Sequence, residues 1–202
     1  MPVTKIDDQR SMTGPAPTRR SVFLIGFMGA GKSTVGRILA QRLGWKFYDL
    51  DLVIEAQEHA SVADIFATHG EVRFRALETV ALADLLEKEL RLSDAVVALG
   101  GGAFAQSENR KILQLFGART VLLSAPLEEL RRRCNESGTQ RPLASDPARF
   151  EQLFEGRRDA YDQSDFRVET GGKPVEDVVA QIERWVSMAQ DVRQVQKLEV
   201  RQ

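Results

Sequence analysis

The sequence predicts a three-layer α/β/α domain built on a five-stranded parallel sheet. Three observations predict it. Short apolar runs alternate with helical patterns from Val22 to Trp185, the order that gives a parallel sheet with right-handed crossovers. Two runs, Ala95-Val96-Val97-Ala98-Leu99 and Thr120 to Leu123, are apolar without polar alternation, as strands buried on both faces are. The first run leads through Gly26-Phe27-Met28-Gly29-Ala30-Gly31-Lys32-Ser33-Thr34 directly into a helical pattern.

Each element has a local cause. Residues Met1 to Arg20 carry Pro-Ala-Pro and no apolar period, so 1–20 reads as a mobile tail ahead of a single domain over 21–187. The first strand is Val22 to Phe27, and the helix through Val35, Ile38, Leu39 and Leu43 stops at Gly44. A second strand, Lys46 to Leu50, runs into Asp49-Leu50-Asp51, where Asp51 is placed to cap a helix through Leu52, Ile54 and Glu55. Ser61 opens a short helix that ends at His69-Gly70. Phe74, Leu77, Ala81 and Leu85 then mark one face of a longer helix over 71–89.

The strand at 95–99 is closed by Gly100-Gly101-Gly102, and Ser107 to Phe116 reads as a helix. After the strand at 120–123, Pro126 suits the first turn of a helix through Leu127, Leu130 and Arg131. Asn135 to Pro147 reads as a loop, long enough to act as a lid. Ala148 to Tyr161 reads as one helix, Phe166 to Glu169 as the last strand, and Val175 to Trp185 as an amphipathic helix. Val192, Val195 and Leu198 would let that helix continue into the C-terminal tail, 188–202.

The segment at 26–34 is G-x-x-x-x-G-K-[ST] between a strand and a helix, the setting the motif requires. Its glycines let main-chain N–H groups wrap a phosphate chain, and the helix behind directs its positive end there. Gly29, Ala30, Gly31, Lys32, Ser33 and Thr34 are therefore the expected nucleoside-triphosphate contacts. Lys32 is placed for the β/γ-phosphates and the Ser33 hydroxyl for Mg²⁺.

Ligands of parallel sheets sit beyond the carboxyl ends of the strands. Asp49, Asp51 and the triple glycine all fall at such ends. Successive side chains of a strand alternate, so one aspartate can face a metal and the other a second substrate only if the turn begins between them. An aspartate beside an attacking hydroxyl can position it and take its proton. The alternative is a helix-capping pair.

Arg75 and Glu78 stand three apart on a helix, either as surface decoration or as a carboxylate steadying a guanidinium for a bidentate grip on a substrate anion. Arg141, in the loop before Pro142-Leu143, suits a lid arginine that stabilises charge on the transferred phosphoryl group. Arg157 is a second anion ligand or a solvated helix charge. Arg131-Arg132-Arg133 either cover the base, touch phosphates or form a solvated cluster.

Composition narrows the classes. The 202 residues carry a formal net charge of −1, which disfavours nucleic acid and anionic membranes as partners. One cysteine, Cys134, excludes an internal disulfide and suits a reducing cytoplasm; with His59 and His69 it makes no zinc-ligand set. No apolar run approaches a membrane span, and the amino terminus has no apolar signal core.

The motifs also come in a recognisable series. Gly-Phe-Met-Gly-Ala-Gly-Lys-Ser-Thr at 26–34 is followed by Asp-Leu-Asp at 49–51 and Ile-Phe-x-x-x-Gly-Glu-x-x-Phe-Arg-x-x-Glu at 65–78. Gly-Gly-Gly at 100–102, Arg-Pro-Leu at 141–143 and Arg-x-x-x-Tyr at 157–161 complete it. In order and spacing this resembles the shikimate kinase family of nucleoside-monophosphate-kinase-like P-loop folds.

The resemblance implies a P-loop kinase core with a small substrate-binding helical segment at about 51–80 and a mobile lid at about 135–147. It implies a monomer that uses ATP and Mg²⁺ to phosphorylate the 3-hydroxyl of shikimate in aromatic amino-acid synthesis. Asp51, Lys32 and Arg141 would be catalytic, with Asp51 on the shikimate hydroxyls. Asp49 would support Mg²⁺ through water. Arg75 and Arg157 would hold the shikimate carboxylate, Gly101 would offer a main-chain contact, Arg141 would also contact ATP, and Phe66 and Phe74 would wall the ring.

Two places depart from the family pattern. Arg158-Asp159-Ala160-Tyr161 replaces a more apolar ending, and the segment from Cys134 to Gln140 is slightly longer. The rivals are a gluconate-kinase-like enzyme, which would also meet a carboxylate, and a nucleotide-binding regulator that has lost transfer. The second predicts damage at Lys32, Asp51 or Arg141, and all three are intact.

Overall fold

Strands form at Ser21–Ile25 (β1), Lys46–Asp49 (β2), Ala95–Ala98 (β3), Arg119–Ser124 (β4) and Phe166–Glu169 (β5) in the computed structural model, which describes residues 20–136 and 146–199. They build one parallel sheet in the order β2-β3-β1-β4-β5. β1 lies at its centre, with Phe23 opposite Val97 on one side and Thr120 on the other. The chain visits β2 and β3 on one side of β1, then β4 and β5 on the other. Connections therefore diverge at the carboxyl end of β1, where doubly wound sheets place their ligands.

The continuous apolar runs are buried as expected: Val22, Phe23, Leu24, Val96 and Val97 have no exposed surface. Truncating a side chain such as Phe23 to alanine would cost about 3–5 kcal/mol. Helices α1 (Lys32–Leu43), α2 (Leu50–Glu58), α3 (Val62–Lys88), α4 (Ser107–Phe116) and α5 (Leu127–Glu136) follow the first four strands. Next come α6 (Pro147–Glu155), α7 (Arg158–Tyr161) and α8 (Val175–Glu199). α1 packs on α8 and α2 on α3, completing the three-layer α/β/α arrangement.

Two local expectations need correction. Asp49, not Asp51, caps α2: its side chain accepts the Asp51 N–H at 3.2 Å, which starts the helix at Leu50. The helix expected over 148–161 is two. Gly156 ends α6 by donating to Gln152, and Arg157 takes a turn conformation before α7. The break expected at His69-Gly70 is present: Gly70 has a φ of 75° and a ψ of 175°, which are not helical, and divides α3 into two helical segments.

α8 continues to Glu199, into the segment expected as a tail. Residues 1–19 of the expected tail and Arg141-Pro142-Leu143 lie outside the described residues, while Arg20, the tail's last residue, is held by Asp94. Among the described residues, no helix is long and apolar enough to cross a membrane.

Candidate active site

The phosphate-loop segment is shaped by main chain. Gly26, Gly29 and Gly31 have φ of 140°, 81° and 90°, values that side-chain-bearing residues rarely adopt. At Gly26 a Cβ would lie 2.4 Å from the Leu123 carbonyl oxygen, and at Gly29 it would lie 2.5 Å from that of Leu130. Gly31 caps α1 without a side chain. The first turn of α1 thus presents its main-chain N–H groups and positive dipole end to the loop. Lys32 folds over the same loop, its Nζ donating to the carbonyls of Gly26 at 2.9 Å and Phe27 at 3.0 Å.

Two supports hold this loop from outside. The Phe27 ring meets Phe150 and Phe154 of α6 edge-on, with centroids 4.9 and 5.4 Å away. Arg133 donates to Glu129 at 2.6 Å, to the Thr170 carbonyl at 2.8 Å and to the Gly29 carbonyl at 3.5 Å. Of the options for the arginine triplet, Arg133 is thus a tie between α5, the loop after β5 and the phosphate loop. Arg132 instead pairs with Glu136 on the exposed side of α5, at 2.8 Å.

The turn after β2 separates the two aspartates. Asp49 faces the phosphate loop, where its Oδ2 accepts the Ser33 hydroxyl at 2.5 Å. Asp51, the second residue of α2, faces the triple glycine instead: a Cβ on Gly100 would lie 2.7 Å from Asp51 Oδ1. The alternative of a simple capping pair accounts for Asp49 alone.

Each glycine of the triplet meets a different side chain. Gly100 also faces Glu78, whose Oε1 would be 2.5 Å from an added Cβ. Gly101 accepts Arg157 Nη1 at 2.9 Å and the Tyr161 hydroxyl at 2.5 Å on its carbonyl oxygen. Gly102 lies against the Arg75 guanidinium, with Nη2 2.5 Å from where a Cβ would be. A side chain at Gly100 or Gly102 would displace Asp51, Glu78 or Arg75, whereas a Cβ at Gly101 would stand in ordinary contact, 3.5 Å from Arg157 Nη1.

Arg75 is flanked by two carboxylates. Nη1 donates to Glu78 Oε2 at 2.5 Å, while Nε and Nη2 reach Glu71 Oε1 at 3.3 and 3.1 Å. Glu78 is fully buried, so this is no surface decoration. Burial pushes its carboxyl above the ordinary glutamate range, and the Arg75 cation offsets only part of that. Burial also works against the Arg75 cation, but Glu78 and Glu71 hold its pKa above the usual value. Phe66 and Phe74 pack together at 4.6 Å with the Arg75 guanidinium 6.0 and 5.4 Å from their centroids.

Arg157 is more deeply buried than Arg75, only 7% exposed, with its guanidinium 5.1 Å from the Phe27 ring centroid. Burial pushes the neighbouring Tyr161 hydroxyl up to about 12, so it stays protonated and donating. The α6–α7 break places Arg157 here, because a continuous helix would not give it the turn backbone it has.

A family model described as shikimate kinase matches residues 28–187. The chain belongs to the shikimate kinase family. A shikimate kinase of Geobacter metallireducens is 46% identical over 166 residues, covering 81% of this chain and 89% of the relative. One from Geobacter sulfurreducens is 43% identical, covering 87% and 95%. The Acinetobacter baumannii shikimate kinase, solved in complex with shikimate, superposes with a TM-score of 0.75 at 32% identity, covering 86% of this chain and 96% of that one. A Sinorhizobium meliloti gluconokinase, 16% identical with a TM-score of 0.60, shares the fold alone.

Within this family frame, Ser33 is joined to Asp49. Asp51 and Glu78 approach Gly100, and Arg75 lies against Gly102. Arg157 bonds to Gly101, where a Cβ would lie 3.5 Å from the Met28 nitrogen of the phosphate loop. Arg141 lies outside the described residues. Sequence reasoning missed Gln106, whose Nε2 donates to Glu78 Oε2 at 3.0 Å, and the role of Tyr161. No motif marks Gln106. Tyr161 was visible only as part of Arg-x-x-x-Tyr.

Proposed function

We propose that the chain transfers the γ-phosphoryl group of ATP to the 3-hydroxyl of shikimate, giving shikimate 3-phosphate and ADP in aromatic amino-acid synthesis. One observation carries this reading: the phosphate loop, Asp51, the buried Arg157 and the part-buried Arg75 all approach one triple glycine. The phosphate loop supplies the donor side, Asp51 the hydroxyl side, and Arg75 with Arg157 the sites for the acceptor's carboxylate.

On the donor side, the N–H groups from Gly29 to Thr34 cradle the phosphates, and Lys32 leaves the carbonyls of Gly26 and Phe27 for the β/γ oxygens. Ser33 and Asp49 offer a hydroxyl and a carboxylate 2.5 Å apart, hard oxygen donors of the kind Mg²⁺ prefers. Among the described residues there is no cluster of three His, Cys, Asp or Glu for a metal. That suits Mg²⁺, which binds through one or two protein groups, phosphates and water. Ser33 would hold it directly and Asp49 through water. When bound with ATP, Mg²⁺ neutralises charge on the phosphate oxygens.

On the acceptor side, Asp51 orients the 3-hydroxyl and accepts its proton as the oxygen attacks the γ-phosphorus. The new O–P bond forms as the bond to the β-phosphate oxygen breaks, and ADP departs with that electron pair. Arg75 and Arg157 hold the carboxylate, Gly101 contacts the substrate through its main chain, and Phe66 and Phe74 wall the ring. Arg141 would stabilise the charge on the transferred group and help exclude water. The lone cysteine supports a reducing cytoplasm.

The test is a panel of acceptors. Purified protein with Mg-ATP should release ADP when shikimate is present, and far less with gluconate, AMP or no acceptor. Equal release with gluconate would remove the substrate assignment.

A further inference from the structure

Gln106 occupies the cap position of α4, where a short polar side chain would normally accept a first-turn N–H. It makes no such bond. Its side chain crosses to α3 and donates from Nε2 to Glu78 Oε2 at 3.0 Å. The same oxygen accepts Arg75 Nη1 at 2.5 Å. The residue thus forgoes capping its own helix in order to reach a buried carboxylate.

That carboxylate is poorly provided for. Glu78 is fully buried, and its Oε1 meets no hydrogen-bond donor among the described residues. The charged groups around it are Arg75, Asp51 and Arg157; Asp51 repels it across Gly100. Gln106 is the neutral donor of the set. Glu78 in turn fixes one side of the Arg75 guanidinium while Glu71 takes Nε and Nη2. One N–H on each terminal nitrogen then remains for a carboxylate, the geometry of a bidentate contact.

We propose that Gln106 is a positioning residue for the acceptor: its amide fixes Glu78 against Arg75, and Arg75 thereby presents a fixed edge to the substrate carboxylate. This rests on the reading of Arg75 as a shikimate-carboxylate ligand. A hydrogen bond to a buried charged group contributes enough that its loss weakens acceptor binding about ten-fold or more. The hydrogen bonds among Gln106, Glu78, Arg75 and Glu71 involve no atom of the phosphate loop. The ionised form of Glu78 is the one that holds Arg75, so acceptor binding weakens as pH falls through the pKa of Glu78. Burial has already raised that pKa, and removing the Gln106 donor raises it further.

The experiment compares wild type with Gln106→Met, which keeps the volume without a donor, and Gln106→Glu, which keeps the shape and adds a second negative charge. Wild type must first show shikimate-dependent ADP release; without it the substrate reading fails, and this inference with it. Given that release, Gln106→Met should raise KM for shikimate about ten-fold with KM for ATP unchanged. Its acidic limb of kcat/KM should move to higher pH. Gln106→Glu should be worse than Gln106→Met on KM for shikimate. If the amide merely ties α4 to α3, both variants lose thermal stability while KM for shikimate and the acidic limb stay put. Either that result, or equal rises in both KM values, overturns the proposal while leaving the substrate reading intact.

Discussion

Around the donor phosphates the deciding atoms are main chain. Gly26, Gly29 and Gly31 hold left-handed or neighbouring backbone, and the carbonyls of Leu123 and Leu130 crowd the places where side chains would go. Around the acceptor the deciding atoms are the ends of long side chains, converging on Gly100-Gly101-Gly102 from α2, α3 and α7. One half is a single contiguous stretch; the other is assembled from several. A main-chain site tolerates little change because each residue's conformation is fixed. A side-chain site loses its contacts one at a time, and each loss should affect one ligand.

That contrast can be broken most forcefully at Asp51, which faces Gly100 beside Glu78. Asp51→Asn removes the proton acceptor while keeping its shape, so kcat should fall by roughly 10²–10⁴-fold. Mg-ATP affinity should stay within about two-fold. If ATP binding is lost instead, Asp51 belongs to the donor half.

Gly26→Ala tests the main-chain half. A Cβ 2.4 Å from the Leu123 carbonyl, on a φ of 140°, has no flexible neighbour to push aside. The substitution should cost about 3 kcal/mol in urea unfolding and abolish tight ATP binding. A folded variant with normal ATP affinity would show that the loop is less rigid than its glycines indicate.

Tyr161→Phe sharpens the other half. Gly101 would lose the hydroxyl donor at 2.5 Å but keep Arg157 at 2.9 Å, so about 1 kcal/mol should be lost. KM for shikimate should rise several-fold with KM for ATP fixed. Because burial holds the Tyr161 hydroxyl at about 12, the wild-type pH profile should show no limb from it in the neutral range.

The smallest effect belongs to a pair outside both halves. Arg20 and Asp94 approach to 2.6 Å with Arg20 about half exposed, and such pairs contribute about 0–1 kcal/mol. Arg20→Met should leave both KM values unchanged and lower stability by less than about 1 kcal/mol.

The same contrast explains what could be read before the structure. Strand periodicity and the phosphate-loop motif are local, so the sheet and the glycine-shaped loop after β1 were legible in a few contiguous residues. Arg75 and Glu78 were legible as a pair but not as a buried one, since three-residue spacing on a helix looks alike at a surface and in a crevice. Burial of Glu78 depends on α4 and the triple glycine closing over it. Gln106 left no signal, because a glutamine at a helix start carries no motif.

The break before Arg157 was hidden by a polar stretch in which Gly156 ends α6 through an ordinary backbone bond. Asp49 and Asp51 were separable only once the helix start was placed, which moved the capping role two residues back, from Asp51 to Asp49. Arg133 could be seen as a cation. Its partners at Glu129, Thr170 and Gly29 come from three separate places in the chain.

The separation of the two halves is tested most directly by titrating Arg75→Met with each ligand in a calorimeter. Removing the guanidinium should weaken shikimate binding by roughly 100-fold, while the Kd for Mg-ATP stays within about two-fold of wild type. Comparable losses for both ligands, or shikimate binding that does not change, would contradict the assignment of Arg75 to an acceptor site built apart from the phosphate loop.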